Sequence, residues 1–182
     1  MPLPTRSSLY AVRIQIFTTG GTIDKVYFDA KSEFEVGDPQ IATILQAAGV
    51  TTPYEVETLM RKDSLDLTDD DRATIADHVR SCDCPRIVIT HGTDTMAITA
   101  RSLGEIEDKT VVFVGSLSPA RFKGTDAEFN IGFAVAAVQA LPPGVYVAMN
   151  GHIFEADKVK KNRTANRFEG AEYQAAHPDP AA

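Results

Sequence analysis

The feature that most constrains the fold is a regular alternation between short segments rich in Val and Ile and longer segments with helical spacing of apolar residues. The strand-like segments are 11–18, 54–59, 86–90, 110–115 and 144–149. The helix-like segments lie between them, at 39–48, 68–80, 95–106 and 125–141. Strands that alternate with helices build parallel sheets through right-handed crossovers. The alternation therefore predicts an α/β fold with a doubly wound, mostly parallel sheet and helices on both faces.

Local patterns refine this prediction at three places. In segment 11–18 apolar residues alternate with Arg13 and Gln15, which predicts an edge strand or a partly covered one. The later strand segments lack this alternation and are predicted as interior strands. Thr68 and Asp71 have the spacing of a capping box at a helix start. The polar stretch 24–37 has no clear periodicity and is predicted as a mobile loop or a small hairpin.

Length and charge limit the organisation and the partners of the chain. The 182 residues suffice for one hydrophobic core, so 1–182 is predicted as a single domain, with flexible tails at 1–10 and 174–182. The formal net charge of -7 disfavours nucleic acid and anionic membrane surfaces as partners. No apolar run reaches the roughly 20 residues that span a bilayer, and the start lacks a secretion signal. We therefore predict a cytoplasmic protein with a small-molecule substrate.

The two cysteines do not predict a metal or a disulfide. Cys82 and Cys84 are too few for a four-ligand zinc site, and a bridge across one residue would be strained. We predict free, buried or half-buried thiols.

The first polar motif is Thr18–Ile23, directly after the first predicted strand. Ligands of open α/β sheets bind outside the carboxyl ends of the strands, so residues at these positions are candidates for a site. The paired glycines allow a tight turn with free backbone N–H groups, and Thr22 can serve as a nucleophile or a ligand clamp. A plain turn explains the motif equally well. A phosphate-binding turn is disfavoured because the G-x-G-x-x-G spacing and the P-loop Lys are missing.

The second and third motifs follow later strands. In Thr90–Met96, Asp94 is either a helix N-cap or, flanked by Thr93 and Thr95, a carboxylate that binds an ammonium group. His91 is predicted to have a structural role, since no other potential ligand lies at a matching spacing. The run 157–162 holds three lysines, and most of them are expected to face solvent. If one lysine is buried beside a threonine, it could accept the proton of the threonine hydroxyl.

These motifs resemble those of the bacterial-type L-asparaginases, which hydrolyse the side-chain amide of asparagine and in some members that of glutamine. The family segments TGGTI and HGTDT stand complete at Thr19–Ile23 and His91–Thr95. The segments SLDLT, VGS and TDAEFN, at Ser64–Thr68, Val114–Ser116 and Thr125–Asn130, are similar to further family segments. The resemblance extends from about residue 13 to residue 161 and implies the α/β fold of the family's N-terminal domain.

The resemblance implies a set of catalytic residues. Thr22 matches the primary nucleophile, and Thr93, Asp94 and Lys161 match a Thr-Lys-Asp triad. Lys160 is the alternative to Lys161 if the alignment slips by one residue. Tyr27 matches the tyrosine that closes over the substrate and hydrogen-bonds the nucleophile.

The resemblance also implies how the substrate is bound. Backbone N–H groups of the turn at Gly21 and Thr22 and around Thr93 would stabilise the oxyanion, with Gly92 among the substrate-binding residues, and Asp94 would bind the α-ammonium group. Ser64 would bind the α-carboxylate, with Asp63 and Ser116 as further substrate contacts. Neither a metal nor a cofactor is required.

Two departures from the family qualify these expectations. The family's second, smaller C-terminal domain has no counterpart in the chain, which predicts a short one-domain member that works as a homo-oligomer, a dimer or a tetramer. Leu65 replaces a glutamine that contacts the substrate, so weaker binding and a preference for asparagine over glutamine are expected. The alternatives are a non-catalytic amino-acid-binding or regulatory domain and a mixed glutaminase-asparaginase.

Overall fold

The computed structural model describes residues 13–28 and 33–170 and contains ten strands and four α-helices there. The strands are β1 (Ile14–Gly20), β2 (Lys25–Phe28), β3 (Glu33–Val36), β4 (Tyr54–Lys62), β5 (Arg86–Thr90), β6 (Thr110–Val114), β7 (Gly144–Met149), β8 (His152–Glu155), β9 (Val159–Asn162) and β10 (Arg167–Gly170). The helices are α1 (Ile41–Ala47), α2 (Asp69–Ser81), α3 (Met96–Ser102) and α4 (Ala127–Ala140). Two 3-10 turns, Thr22–Asp24 and Ser64–Asp66, follow β1 and β4.

The central sheet has six strands in the order β4-β1-β5-β6-β7-β8. All neighbours are parallel except β8, which pairs antiparallel with β7. Helix α1 contacts α4, and α2 contacts α3, as expected for helix pairs that cover a sheet. The mostly parallel α/β fold predicted from the alternation is confirmed, whereas the single-domain organisation of residues 1–182 stays a prediction.

The predicted positions of the first two strands of the sheet are wrong. Strand β1 lies between β4 and β5, and all seven of its residues are buried, including Gln15 at 6% exposure. The edge strand is β4, most of whose residues are exposed. The alternation around Arg13 and Gln15 does not mark an edge, because Arg13 precedes the strand and Gln15 is buried in a strand that is paired on both sides.

The remaining local predictions are mostly correct. The stretch 24–37 forms a hairpin of β2 and β3, in which Tyr27 pairs with Phe34. The capping box is present, since the Asp71 amide donates to Thr68 Oγ1 and the Thr68 amide donates to Asp71 Oδ2. Strands β8, β9 and β10 were not predicted. The tails predicted at 1–10 and 174–182 lie outside the described residues.

The core consists of aliphatic side chains from the central strands and the helices packed on them. Ile16, Val88 and Val112 are aligned across β1, β5 and β6 and are fully buried. Such a continuous apolar layer holds the strand ends, and hence the motifs that follow them, at fixed positions. None of the described helices has the length and apolarity needed to cross a membrane. Both cysteines are free thiols, with Cys84 buried and Cys82 partly buried.

Candidate active site

The first two motifs touch through their glycines. Gly20 and Gly21, at the end of β1, have φ angles of +94° and +95°, which side chains rarely adopt. A Cβ atom on Gly21 would overlap the backbone N and Cα of Gly92, in the motif after β5. The hydroxyl of Thr19 donates to the Thr90 carbonyl oxygen at 2.9 Å and joins the same two strand ends. The tertiary structure therefore places the Thr22 turn directly against the Thr93 motif.

Thr22 lies at the start of the 3-10 turn and is partly buried. The amide of Asp24 donates to the Gly21 carbonyl oxygen at 3.1 Å, and the amide of Ala120 donates to the Ile23 carbonyl oxygen at 3.0 Å. The second bond comes from the loop that follows β6. The backbone next to Thr22 is thus fixed by one bond within the turn and by one from the loop after β6.

The Ser64 turn completes this contact. A Cβ on Gly92 would lie 2.6 Å from both Cβ and Oγ of Ser64, so only glycine fits between the two segments. The Thr95 hydroxyl donates to the Ser64 carbonyl oxygen at 2.7 Å. Segments from the ends of β1, β4 and β5 are therefore packed together, as the rule for open α/β sheets predicts. Ser64 itself is buried.

Lys161 on β9 reaches the motif after β5. Its Nζ atom donates to Thr93 Oγ1 at 2.7 Å and to Asp94 Oδ1 at 2.9 Å. Lys160 is exposed and lies across from Glu169 on β10. Of the two lysines that the sequence left open, Lys161 is therefore the one that the strand places beside Thr93.

The interpretation of Asp94 as a helix N-cap is wrong. The N-cap residue of α3 is Thr95, which makes no capping bond with its side chain. Asp94 instead accepts from Lys161 through Oδ1 and leaves Oδ2 without a hydrogen bond among the described residues. Its side chain is one-third exposed, at 33%, so this oxygen is available to a ligand in the crevice.

His91 is a buried structural residue, as predicted. Its Nδ1 atom lies 2.7 Å from the Gly92 carbonyl oxygen, and its ring packs edge-on against Phe113. Burial lowers the pKa of His91 to about 4, so the ring is neutral at physiological pH. Among the residues that the structure describes, no group of His, Cys, Asp or Glu side chains could hold a metal ion.

Asp63 is engaged by neighbours on both carboxylate oxygens. Oδ1 accepts from the Leu65 amide at 3.1 Å, and Oδ2 pairs with Lys25 Nζ at 2.6 Å. Burial acts to raise the pKa of Asp63, but the hydrogen bonds from Lys25 and Leu65 outweigh it and hold the pKa below its usual value. Lys25 was not found by sequence reasoning, because no local pattern connects β2 with the Ser64 turn.

Tyr27 lies on the exposed face of the hairpin. Its ring is 5.4 Å from that of Phe34, which lies 5.9 Å from the ring of Phe122. Tyr27 is 51% exposed and makes no hydrogen bond to Thr22 in the described structure. The structure therefore places Tyr27 on the segment next to Thr22 but does not join the two hydroxyls.

Ser116 is held within the loop after β6. Its hydroxyl donates to the Ser118 carbonyl oxygen at 2.5 Å, and the residue is buried. Asp126, just before α4, accepts from the amides of Leu117 and Ser118 at 2.9 and 3.0 Å. Asn130 donates to the Gly115 carbonyl oxygen at 3.1 Å. The segment TDAEFN thus shapes the loop that contacts the Thr22 turn.

Two clefts lie apart from these residues. One, of about 550 Å³, is lined mainly by β8 and β10, and the other, of about 580 Å³, lies beside α3 and the start of β7. No residue predicted for the site lines either cleft. The motifs instead meet at the carboxyl ends of β1, β4 and β5, and this region is the candidate site.

Comparison with known proteins points to one family. The family model described as Asparaginase, N-terminal, matches residues 13–176. L-asparaginase 2 of Escherichia coli is 32% identical over 88% of this chain and 49% of its own length. A glutaminase-asparaginase of Acinetobacter glutaminasificans is 34% identical over 81% of this chain and 49% of its own. The thermostable L-asparaginase structure from Thermococcus kodakarensis superposes with a TM-score of 0.78 at 29% identity, covering 89% of this chain and 52% of that one. The chain thus spans about half the length of these relatives.

Proposed function

The chain belongs to the asparaginase family, and from this premise we propose that it hydrolyses the side-chain amide of L-asparagine to L-aspartate and ammonia. The observation that carries the proposal is the placement of Lys161 Nζ 2.7 Å from Thr93 Oγ1 and 2.9 Å from Asp94 Oδ1. The proposal is supported further by the close approach of Gly21, next to Thr22, to Gly92, next to Thr93. Amide hydrolysis through an acyl-enzyme requires an activated nucleophile, and a hydroxyl–lysine pair held by a carboxylate is one arrangement that can move its proton.

In the proposed first step, Thr22 Oγ1 attacks the amide carbon of the substrate, and the carbonyl oxygen becomes an oxyanion. Backbone N–H groups of the turn at Gly21 and of the segment around Thr93 stabilise this charge. The proton of Thr22 passes to Tyr27 or towards the pair of Thr93 and Lys161. The carbon–nitrogen bond then breaks, the nitrogen takes the proton that Thr22 gave up, and ammonia departs, which leaves a β-aspartyl ester on Thr22.

In the second step, water attacks this ester, and Thr22 regains its proton as L-aspartate is released. Lys161 can accept a proton only as the neutral amine, whose N–H groups can still donate the observed bond to Thr93 Oγ1. Asp94, whose Oδ1 accepts from the same Nζ, holds the amine in position for this exchange. We therefore propose that Asp94 positions Lys161 through Oδ1 and binds the substrate through Oδ2.

We assign recognition of the amino-acid group to the residues around the Ser64 turn. The free Oδ2 of Asp94 suits the α-ammonium group, and the backbone beside Ser64 suits the α-carboxylate. Leu65 is 63% exposed and offers no polar contact to the substrate, which supports the expected preference for the shorter asparagine over glutamine. The mixed glutaminase-asparaginase activity remains the alternative, since the Acinetobacter relative carries that name.

The deciding experiment measures ammonia release from L-asparagine and L-glutamine by the full chain, together with L-aspartate binding by calorimetry. We expect release from L-asparagine, with a lower kcat/KM for L-glutamine. Binding of L-aspartate without ammonia release would instead assign a non-catalytic amino-acid-binding or regulatory domain. Equal kcat/KM values for both substrates would assign the mixed activity.

We also propose that L-asparagine is the partner that the site recognises and that a second copy of the chain covers the crevice. Tyr27 and Asp94 are partly open to solvent in the single chain. Excluding water would strengthen the contacts to the oxyanion and the ammonium group. A dimer or a tetramer is the proposed form, and the cytoplasm is the proposed location.

A further inference from the structure

Asp24 is a buried carboxylate that the proposed mechanism does not use. It lies two residues after Thr22 and is only 2% exposed. Its Oδ1 atom accepts the backbone amide of Gln40 at 2.8 Å, and its carbonyl oxygen accepts the amide of Gly37 at 2.9 Å. One residue therefore makes bonds to both the end of the hairpin and the residue before α1.

These two bonds close the base of the hairpin formed by β2 and β3. Asp24 ends the 3-10 turn immediately before β2, and Gly37 comes immediately after β3. Gln40 is the N-cap residue of α1, whose Ile41 and Leu45 side chains are in the hydrophobic core. The carboxylate thus ties the Thr22 turn to an element that cannot move without disturbing the core.

We infer that Asp24 is a positioning residue that fixes the Thr22–Asp24 turn and the base of the hairpin against α1. Its effect on turnover rests on the proposed function, because Thr22 and Tyr27 are the residues it would position. The hydrogen bond itself can be tested without any substrate.

The cost of burying this carboxylate supports a positioning role. Asp24 Oδ2 is buried and has no hydrogen-bond partner among the described residues. Burial raises the pKa of Asp24 to about 6, although the Gln40 amide and the charge of Arg61 on β4 act to lower it. Arg61 itself pairs with Asp38 at 2.9 Å and does not neutralise Asp24 directly. An ionisable group in such a place is costly, and costly groups cluster at functional sites.

Four variants of the full chain test the inference. Asp24→Ala removes the acceptor. Gln40→Pro removes the donor of the same bond, together with the bond from the Gln40 side chain to the Asp38 carbonyl oxygen, at an N-cap position whose φ of -91° is near the range of proline. Asp24→Asn keeps an acceptor oxygen but not the charge. Asp38→Asn is the matched control, because it removes an exposed carboxylate from the same segment.

The first measurement is amide hydrogen exchange by NMR without substrate. In Asp24→Ala we expect the Gln40 and Gly37 amides to exchange at least about 10-fold faster, with amides of α2 and α4 unchanged. Asp24→Asn and Asp38→Asn should stay within about 3-fold of the wild type. Wild-type exchange at Gln40 in Asp24→Ala would overturn the inference.

The second measurement is steady-state ammonia release. Asp24→Ala and Gln40→Pro should each lower kcat at least about 10-fold with KM within about 3-fold, and Asp24→Asn should restore kcat. An unchanged kcat in Asp24→Ala or in Gln40→Pro would overturn the role of Asp24 in positioning Thr22. If Asp24→Ala does not fold, the kcat of Gln40→Pro decides whether Asp24 has this role. A wild-type chain that releases no ammonia would contradict the proposed function, whereas the exchange measurement would still decide whether Asp24 holds the hairpin.

Discussion

Lys161 Nζ lies 2.7 Å from Thr93 Oγ1, although 68 residues separate the two along the chain. A second bond holds their elements together, because Arg101 on α3 donates to the Val159 carbonyl oxygen at the start of β9 at 2.9 Å. The strand that carries Lys161 is therefore tethered to the helix that follows Thr93. This arrangement depends on a strand that no hydrophobic periodicity predicted.

The two threonines should be required for turnover. We expect Thr22→Ala and Thr93→Ala each to lower kcat by at least about 10³-fold with little change in stability, because each removes a reacting hydroxyl and little apolar volume. Ammonia release and thermal unfolding measure the two effects. Thr43→Ala, at an exposed position of α1, is the control and should match the wild type. Near-normal turnover in either site variant would remove that threonine from the mechanism.

The two neighbouring lysines should behave differently. Lys161→Met breaks the bonds to Thr93 and Asp94 and should lower kcat at least about 10³-fold. Lys160→Met changes an exposed side chain and should leave kcat almost unaltered. The comparison of kcat values decides between them, and the reverse result would assign the catalytic role to Lys160.

The contact between Gly92 and Ser64 should tolerate no added side chain. In Gly92→Ala the new Cβ would lie 2.6 Å from Ser64, so the two segments must separate, at an expected cost of about 1–3 kcal/mol and a fall in kcat. Gly132→Ala is the matched control, since its helical position has nothing within 4 Å, and it should stabilise the chain by up to about 1 kcal/mol. Urea unfolding measures the stability of both variants, and ammonia release measures kcat. A neutral Gly92→Ala variant would contradict the packing at this site.

The stability of the chain should depend on pH through Asp24. Burial raises its pKa in the folded chain from 3.8 to about 6, so the folded state holds this proton more tightly than the unfolded state. The stability that Asp24 contributes is therefore present below about pH 4 and is lost as the pH rises to about 6, a change of about 3 kcal/mol. Asp24→Asn should thus be more stable than the wild type at pH 7.5, with a difference that shrinks towards pH 4.

Urea unfolding of both proteins at several pH values tests this difference. His91 contributes the opposite slope, because its pKa is lowered from 6.5 to about 4 in the fold and its stabilisation is lost as the pH falls through this range. The contribution of His91 is common to both proteins and cancels in the comparison. Parallel stability curves for the variant and the wild type would contradict the buried, ionisable state of Asp24.

The assembly should be larger than one chain. If a second copy covers Tyr27 and Asp94, sedimentation at micromolar concentration should give a dimer or a tetramer, because closed symmetry is the commonest form of soluble oligomers. Activity should then fall on dilution as the assembly dissociates. A fully active species near the 19.7 kDa of one chain would show that no second copy is needed.

Local signals predicted most elements of the fold. The runs of Val and Ile at 86–90 and 110–114 identified β5 and β6, and Thr68 with Asp71 marked the start of α2. These signals are carried by neighbouring residues and the backbone between them, so they can be recognised before any tertiary contact is known. The pair Gly20 and Gly21 indicated a tight turn for the same reason.

Only the tertiary structure decided which surfaces meet. It placed β1 inside the sheet and β4 at the edge, because strand order depends on pairing between distant segments. It selected Lys161 over Lys160, since successive side chains of a strand point to opposite faces and a shift of one residue would exchange them. It paired Lys25 with Asp63 and buried Asp24, because burial and partners are properties of the packed chain and not of a residue's neighbours in sequence.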